Sequence, residues 1–231
     1  MLRVRDLKVG YDLFELRADF SIQTGSLVAI LGPSGSGKTT LINAISGFIP
    51  SRAGIIEWNK LALAPFSPGE RPINILFQDH NLFPHLDVEK NVAIGIKPNL
   101  KLSILERKSV LETIAKVGLG ELGNKQPSEL SGGQKTRIAL ARVMVRSKPL
   151  LLLDEAFLGL EPALRLKMLD LMIEYVQKES KTLLMVTHDI DDVIKLGQLV
   201  LFVDDGDVFG PMHVTEFLSS TEPRFRKYLG G

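Results

Sequence analysis

Leu27-Val28-Ala29-Ile30-Leu31-Gly32-Pro33-Ser34-Gly35-Ser36-Gly37-Lys38-Thr39-Thr40 is the stretch that decides how this chain folds. Five apolar residues stop at a glycine, the pattern of a strand buried on both faces. Lys38–Ser46 then reads as a helix, with Gly47 as its stop. Between them, Gly32 to Thr39 fits G-x-x-x-x-G-K-[ST] in full and sits where that motif must sit, after a strand and before a helix. The glycines let backbone N–H groups converge on an anion, and the helix N-terminus adds its positive dipole. Lys38 supplies a point charge for β- and γ-phosphates, and the Thr39 hydroxyl suits a divalent cation.

Outward from this loop the pattern is mixed. Leu2–Val9 alternates as a strand with Leu13–Ile22 as its hairpin partner, and Gly54–Trp58 and Ile73–Phe77 read as short strands. From about Asn81 to Leu130 the character turns helical, with patches at Val88–Ile94 and Ile104–Val117 broken by Pro98, Gly118, Gly120 and Gly123. Strand Leu150–Leu153, helix Ala163–Lys178, strand Thr182–Val186, helix Ile190–Leu196 and strand Gln198–Val203 follow. Strands alternating with helices predict an α/β core with a mostly parallel sheet, an antiparallel β layer at the start and an inserted helical subdomain. The expected organisation is one domain over 1–231, with core at 1–80 and 131–231 and the helical subdomain over about 81–130.

Composition bounds what such a core does. The chain has 231 residues, 28 Lys and Arg against 27 Asp and Glu, and no cysteine. The near-zero net charge gives no electrostatic drive toward nucleic acid. Without cysteine there is no disulfide framework, iron–sulfur cluster or thiolate zinc site. The four histidines, His80, His85, His188 and His213, are too scattered for a helical metal motif. The apolar runs are too short to span a bilayer, and Met1–Asp6 carries charge where a signal peptide needs apolar residues, so the expectation is a cytoplasmic chain.

Two further motifs carry chemistry. Leu150–Leu153 run straight into Asp154-Glu155, which places carboxylates at the carboxyl end of a buried strand, where open α/β sheets bind ligands. Asp154 suits a Mg²⁺ ion held through its water shell, and Glu155 suits orienting or deprotonating an attacking water. In Leu130-Ser131-Gly132-Gly133-Gln134, Ser131 is an N-cap by type and the glycines leave N–H groups open at a helix start, a second phosphate site without a lysine. Gly35-Ser36-Gly37-Lys38-Thr39-Thr40 fails the dinucleotide pattern G-x-G-x-x-G at its last position. Neither Asn59-Lys60-Leu61-Ala62 nor Asn124-Lys125-Gln126-Pro127 is the guanine-reading N-K-x-D. A nucleoside triphosphatase with adenine preference results.

Phosphate loop, Leu-Ser-Gly-Gly-Gln and acidic strand end, in that order, resemble the ATP-binding cassette (ABC) ATPases over essentially the whole chain. The resemblance implies ATP and Mg²⁺ as ligands. It makes Gly32, Pro33, Ser34, Gly35, Ser36, Gly37, Lys38, Thr39 and Thr40 the ATP-binding loop. Gln78 in Phe77-Gln78-Asp79 resembles the glutamine that ligates Mg²⁺ and senses a membrane partner, joining Thr39 and Asp154 as metal ligands. His188 in Thr187-His188-Asp189 resembles the switch histidine that meets the γ-phosphate, so that Glu155, His188 and Lys38 form the catalytic set. Tyr11 resembles the aromatic that stacks on adenine; the alternative reading of Tyr11 or Phe14 is hairpin core.

The same resemblance implies a head-to-tail homodimer, in which Ser131, Gly132, Gly133 and Gln134 of one copy face the phosphate loop of the other. It implies integral membrane permease subunits as partners, indirectly a solute-binding protein, and a position on the inner face of the membrane. A short cassette without the long C-terminal domain of sugar importers is similar to bacterial importer ATPases. The segments Arg71–Gln78, Asn81–Leu86 and Pro98–Leu102 are similar to those of the thiamine-importer group, with cassettes for iron, spermidine, putrescine or other small solutes, and non-transport cassettes, as alternatives. Two positions depart from the family: Ala156 stands where a proline usually follows the acidic pair, and Glu161 where an aspartate usually ends the next loop.

Overall fold

The apolar runs become fully buried strands in the computed structural model, which describes residues 1–11, 14–77, 79 and 81–230. Strands β3 (Leu27–Leu31), β7 (Leu150–Asp154) and β8 (Thr182–Val186) are buried at every position. Both faces of each must therefore be covered, which alternating strands and helices achieve. Contacts divide the described residues into two compact units, the first formed by Met1–Ile73, Pro149–Asp154 and Val176–Gly231, the second by Asn74–Lys148 and Glu155–Tyr175.

The first unit contains β1 (Leu2–Tyr11), β2 (Phe14–Ile22), β3, helix α1 (Lys38–Ser46), β4 (Ala53–Trp58), β5 (Leu61–Ala62), β7, β8, α6 (Ile190–Leu196), β9 (Leu199–Asp204), β10 (Asp207–His213), α7 (Val214–Ser219) and α8 (Pro223–Leu229). Its strands lie in the order β5-β4-β1-β2-β10-β9-β3-β8-β7. The half from β9 to β7 is parallel. At the other end β1 pairs antiparallel with β2 and β4, from Leu2 opposite Ile22 to Tyr11 opposite Phe14. Leu2 and Val4, then Leu7 and Val9, fill the core from β1; each pair keeps the period of two, and a register irregularity between Val4 and Leu7 restores the inward face.

Register fixes the functional edge. Asp154 pairs with Val186, and Val186 pairs with Ile30, so β7, β8 and β3 end level. The loops leaving β3 and β8, and the last residue of β7, emerge on one edge of the sheet. That is where ligands bind in open α/β sheets.

Helix α1 buries Leu41, Ile42 and Ile45 and stops at Gly47, whose φ of 90° is left-handed. A second constraint acts there. Arg71, only 7% exposed, donates to the α1 carbonyls of Ala44 (3.0 Å) and Ile45 (2.7 Å), and to Phe66 (3.2 Å). A Cβ on Gly47 would lie 2.5 Å from Arg71 Nε, so glycine serves both the backbone and the guanidinium.

In the second unit, β6 (Ile73–Leu76) leads in from the first. Helices α2 (Val88–Ala93), α3 (Ile104–Lys116) and α4 (Gly132–Met144) pack on one another, and α5 (Pro162–Lys178) contributes its residues through Tyr175. Each of the first three starts on a side-chain cap: Asp87 for α2, a Ser103–Glu106 capping box for α3 and a Ser131–Gln134 capping box for α4. The α4 carbonyls of Val143 and Met144 accept from Asn74 Nδ2 (2.7 Å) and Tyr175 Oη (2.6 Å). Among the described residues no helix is long and apolar enough to cross a membrane.

Candidate nucleotide-binding site

The loop after β3 is held by its own backbone. Gly32, Gly35 and Gly37 take φ of 146°, 77° and 113°, values at which a side chain is strained. Space is restricted as well. A Cβ on Gly32 would stand 1.9 Å from the Val203 carbonyl oxygen, and one on Gly37 2.8 Å from the Phe14 ring. Lys38 is buried, and its Nζ donates to the carbonyls of Gly32 and Pro33, both at 2.8 Å. Ser36 is 5% exposed, and its Oγ makes no hydrogen bond among the described residues. A buried hydroxyl is ordinarily satisfied, so Ser36 Oγ marks a place built for a further acceptor or donor. A phosphate oxygen fits that requirement. The second loop anchor is β10's turn, where Gly206 N–H donates to the Ser36 carbonyl at 3.1 Å.

Asp154 closes β7 with its carboxylate buried, 5% exposed, on the same edge. Beyond β8, Thr187 N–H donates to Ile30 of β3 (3.3 Å), which ties the His188 turn to the strand that feeds the phosphate loop. Thr187 Oγ1 donates to the buried Asp192 carboxylate at 2.7 Å and accepts from Asp189 N–H at 3.2 Å, while Asp189 caps α6. His188 itself faces solvent. Phosphate loop, Asp154 and His188 thus share one edge of one unit.

Tyr11 ends β1 and is 60% exposed, so it is not hairpin core. Phe14, its cross-strand partner, is the ring that touches the loop at Gly37. Gln78 lies outside the described residues. Glu155 follows Asp154 in the chain and adopts φ +50°, an uncommon conformation for a non-glycine residue. Strain of this kind clusters at functional positions. Ala156, one of the two departures from the family, is buried, and Glu161 is exposed.

The Leu-Ser-Gly-Gly-Gln segment forms the start of α4 as its chemistry predicts. Gln134 N–H donates to Ser131 Oγ (3.3 Å), and Ser131 N–H donates to Gln134 Oε1 (2.8 Å), leaving Gly132 exposed at the helix start. Elsewhere in the second unit a cavity of about 630 Å³ opens between the 74–86 segment, the 94–100 turn and α4. Phe83, 43% exposed, stands on its wall with the Arg142 guanidinium 5.9 Å from its ring centroid, and Arg142 donates to the Asn81 carbonyl at 2.9 Å. Burial, and then the charge of Arg146, bring Arg142 down to about 10.

Sequence reasoning did not find Arg71 or Asp192 as supports of these surfaces. Arg71 acts through hydrogen bonds to Ala44 and Ile45, 27 and 26 residues away, for which no local pattern exists. Only Asp192 carried a signal, as an acid close behind Thr187-His188.

An α/β core with this loop, and buried carboxylate and histidine turn on one sheet edge, defines a nucleotide-binding ATPase of the cassette type. Residues 16–158 match the ABC transporter family, and the chain belongs to it. It is 47% identical over 230 residues to the thiamine import ATP-binding protein ThiQ of Ruegeria sp. (strain TM1040), covering 100% of both chains. Against the protein of the same name from Brucella suis biovar 1 (strain 1330) it is 43% identical, covering 99% of this chain and 95% of that one. Among solved structures it is similar to the ATP-binding cassette MJ0796, seen as a dimer in a post-hydrolysis state bound to ADP and Pi. The identity there is 27%, the TM-score 0.83, and the match covers 93% of this chain and 99% of that one. The fold is that of an ABC ATPase.

Proposed function

We propose that this chain is the ATP-hydrolysing subunit of a thiamine importer, working as a homodimer on the inner face of the membrane beneath separate permease subunits. The observation that carries the catalytic part is the sheet edge on which the phosphate loop, Asp154 and His188 stand together, with the Ser36 hydroxyl buried in the loop. The solute is supported by relatives of matching length whose names state thiamine import.

In this reading the loop from Gly32 to Thr40 wraps the phosphates with backbone N–H groups. Lys38 exchanges its two carbonyl acceptors for β- and γ-phosphate oxygens, a gain because a charged acceptor makes the stronger bond. Thr39, Asp154 and Gln78 would hold Mg²⁺, which when bound neutralises charge on the transferring phosphoryl group. All three offer oxygen donors, as a hard cation requires. Glu155 takes the proton of the attacking water, and His188 hydrogen-bonds the γ-phosphate from a turn fixed by Thr187 and Asp192. Tyr11 stacks on the adenine from its exposed position.

Ser131, Gly132, Gly133 and Gln134 meet the γ-phosphate bound to a second copy. The open N–H groups at the start of α4 suit an anion. ATP then acts as the link between copies, and its hydrolysis lets them separate. The cavity beside Phe83 receives a short helix from the permease, and about 81–130 forms the subdomain that moves with it. A periplasmic-type solute-binding protein would act only through that permease.

The test is uptake. The chain is reconstituted in proteoliposomes with the permease and binding-protein subunits of a thiamine importer, with ATP inside. ATP-dependent accumulation of labelled thiamine, lost with Glu155→Gln, is the expected result. Stimulation of ATP hydrolysis by iron chelates or polyamines, with none by thiamine, would overturn the assignment of solute.

A further inference from the structure

Helix α3 ends on a left-handed glycine. Gly118 takes φ +72°, its N–H donates to the Ala115 carbonyl (2.9 Å), and the Leu119 N–H donates to that of Ile114 (3.0 Å). This pair of bonds closes the helix and satisfies two of its last carbonyls. Those of Val117 and Gly118 lie beyond it and need other donors. Arg137 of α4 supplies one, with Nη1 at 3.1 Å from the Val117 oxygen and 3.2 Å from the Gly118 oxygen. A guanidinium also suits the negative end of a helix. Glycine leaves room for it, since a Cβ on Gly118 would lie 3.1 Å from Nη1.

The same side chain turns back on its own helix. Arg137 Nε donates to the Gly133 carbonyl at 3.4 Å, and its neighbour Thr136 Oγ1 donates to the Gly132 carbonyl at 3.2 Å. Both acceptors belong to the first turn of α4, which the Ser131–Gln134 box begins. Gly133 also packs on Leu160 and Leu164, whose side chains would stand 3.4 and 3.6 Å from a Cβ there. One planar fork therefore joins the end of α3 to the Leu-Ser-Gly-Gly-Gln turn. The capping box alone suffices to start α4, so what the fork adds is the place and direction of that start.

We propose that Arg137 is a positioning residue for the ATP bound by a second copy, fixing where the first N–H groups of α4 point. The proposal rests on reading Ser131–Gln134 as the segment that meets the γ-phosphate of that copy. An anion held by helix N–H groups responds to the direction of the helix start, and a misplacement of about 1 Å is costly in a positioned site. Arg137 sets that start against α3, a helix with no part in the nucleotide site of its own copy. Its effect is therefore confined to the step in which two copies close on ATP, and ATP binding by one copy does not draw on it.

The test uses the full chain in the Glu155→Gln background, where ATP holds the dimer. Arg137→Met keeps length and removes the donors, and Arg137→Lys keeps the charge but not the fork. ATP affinity of dilute single copies should stay within about twofold, while the dimer dissociation constant rises about tenfold for Arg137→Met, as loss of hydrogen bonds from a charged group supports. Arg137→Lys should show a smaller rise in the same direction, so the comparison stands on whichever variant folds. Hydrogen exchange without ATP gives a local readout. The Gln134 and Lys135 amides, which both donate to Ser131, should lose protection, while the Val145 amide, bonded to Ala141 at the far end of α4, keeps its own. Gly132→Asp is the control, because a side chain there meets open space and its carboxylate repels a phosphate. If Gly132→Asp dimerises normally, the reading of Ser131–Gln134 fails, and the proposal with it. If Gly132→Asp loses the dimer while both Arg137 variants keep the parent's dimer affinity, Arg137 only caps α3 and the proposal alone is overturned. A weakened dimer matched by an equal loss of ATP affinity in single copies would overturn it too.

Discussion

Asn91 holds Phe83 by both of its backbone groups. Its Oδ1 accepts from the Phe83 N–H at 2.9 Å and its Nδ2 donates to the Phe83 carbonyl at 3.0 Å. The same Nδ2 donates to Leu86 (2.8 Å) and Asp87 (3.1 Å). Asn91 is fully buried on α2, so one helical side chain sets the loop that carries Phe83 to the wall of the cavity. Asn91→Ala should lower stability by roughly 1–3 kcal/mol, since it leaves several buried backbone groups without a partner. In the assembled transporter it should also reduce permease-stimulated hydrolysis while basal hydrolysis survives. Chemical unfolding and paired ATPase assays check both. Unchanged stimulation in a folded variant would separate this loop from coupling.

Arg71 offers a second case, at the far end of the phosphate helix. Arg71→Met keeps length and removes three hydrogen bonds to carbonyls of Phe66, Ala44 and Ile45. A loss of about 3 kcal/mol is expected, given the strength of charged hydrogen bonds and the orphaned helix end. Arg71→Lys should recover only part of it, because an ammonium cannot reproduce the planar fork. Urea midpoints of the three proteins give the ranking. Equal stability of the Lys and Arg forms would contradict the geometric account.

The α3 cap predicts a pH effect. A hydrogen bond from Lys97, and then the backbone and side chain of Ser103, hold Glu106 down to about 2 from an ordinary 4.5. The folded carboxyl is the stronger acid, so its contribution is present above pH 4.5 and fades as pH falls toward 2. Glu106→Gln should therefore melt below the wild type at about pH 6, with the difference shrinking by about pH 3. Because the Lys97–Glu106 pair lies in contact with solvent the effect is small, and salt should reduce it further. A melting-point difference independent of pH would mean that the cap, not the charge, matters.

Much of this was legible because it is local. Helix α1, strands β3 and β8 and helix α6 have the ends that apolar runs, caps and glycines predict. The Ser131–Gln134 box is visible as a serine followed three residues later by glutamine. Strand β10 was not foreseen. Gly210-Pro211 falls in its middle, at the register irregularity between Phe209 and Met212, and breaks the alternation that marks a strand. Helices α7 and α8 also escaped, since each is short and owes its place to rings packed around Phe202. Tyr11 and Phe14 read alike as hairpin aromatics. Only the fold separates them, one out to solvent and one against Gly37.

The most direct measurement concerns Glu155, next in the chain to the buried Asp154 and strained at φ +50°. Glu155→Gln keeps the shape of the side chain but cannot accept a proton from water. ATP affinity by direct titration and single-turnover hydrolysis are measured on the same preparation. The account predicts affinity within about threefold of wild type, hydrolysis reduced at least ~100-fold, and an ATP-bound dimer stable on size exclusion. Near wild-type hydrolysis by the variant would contradict it.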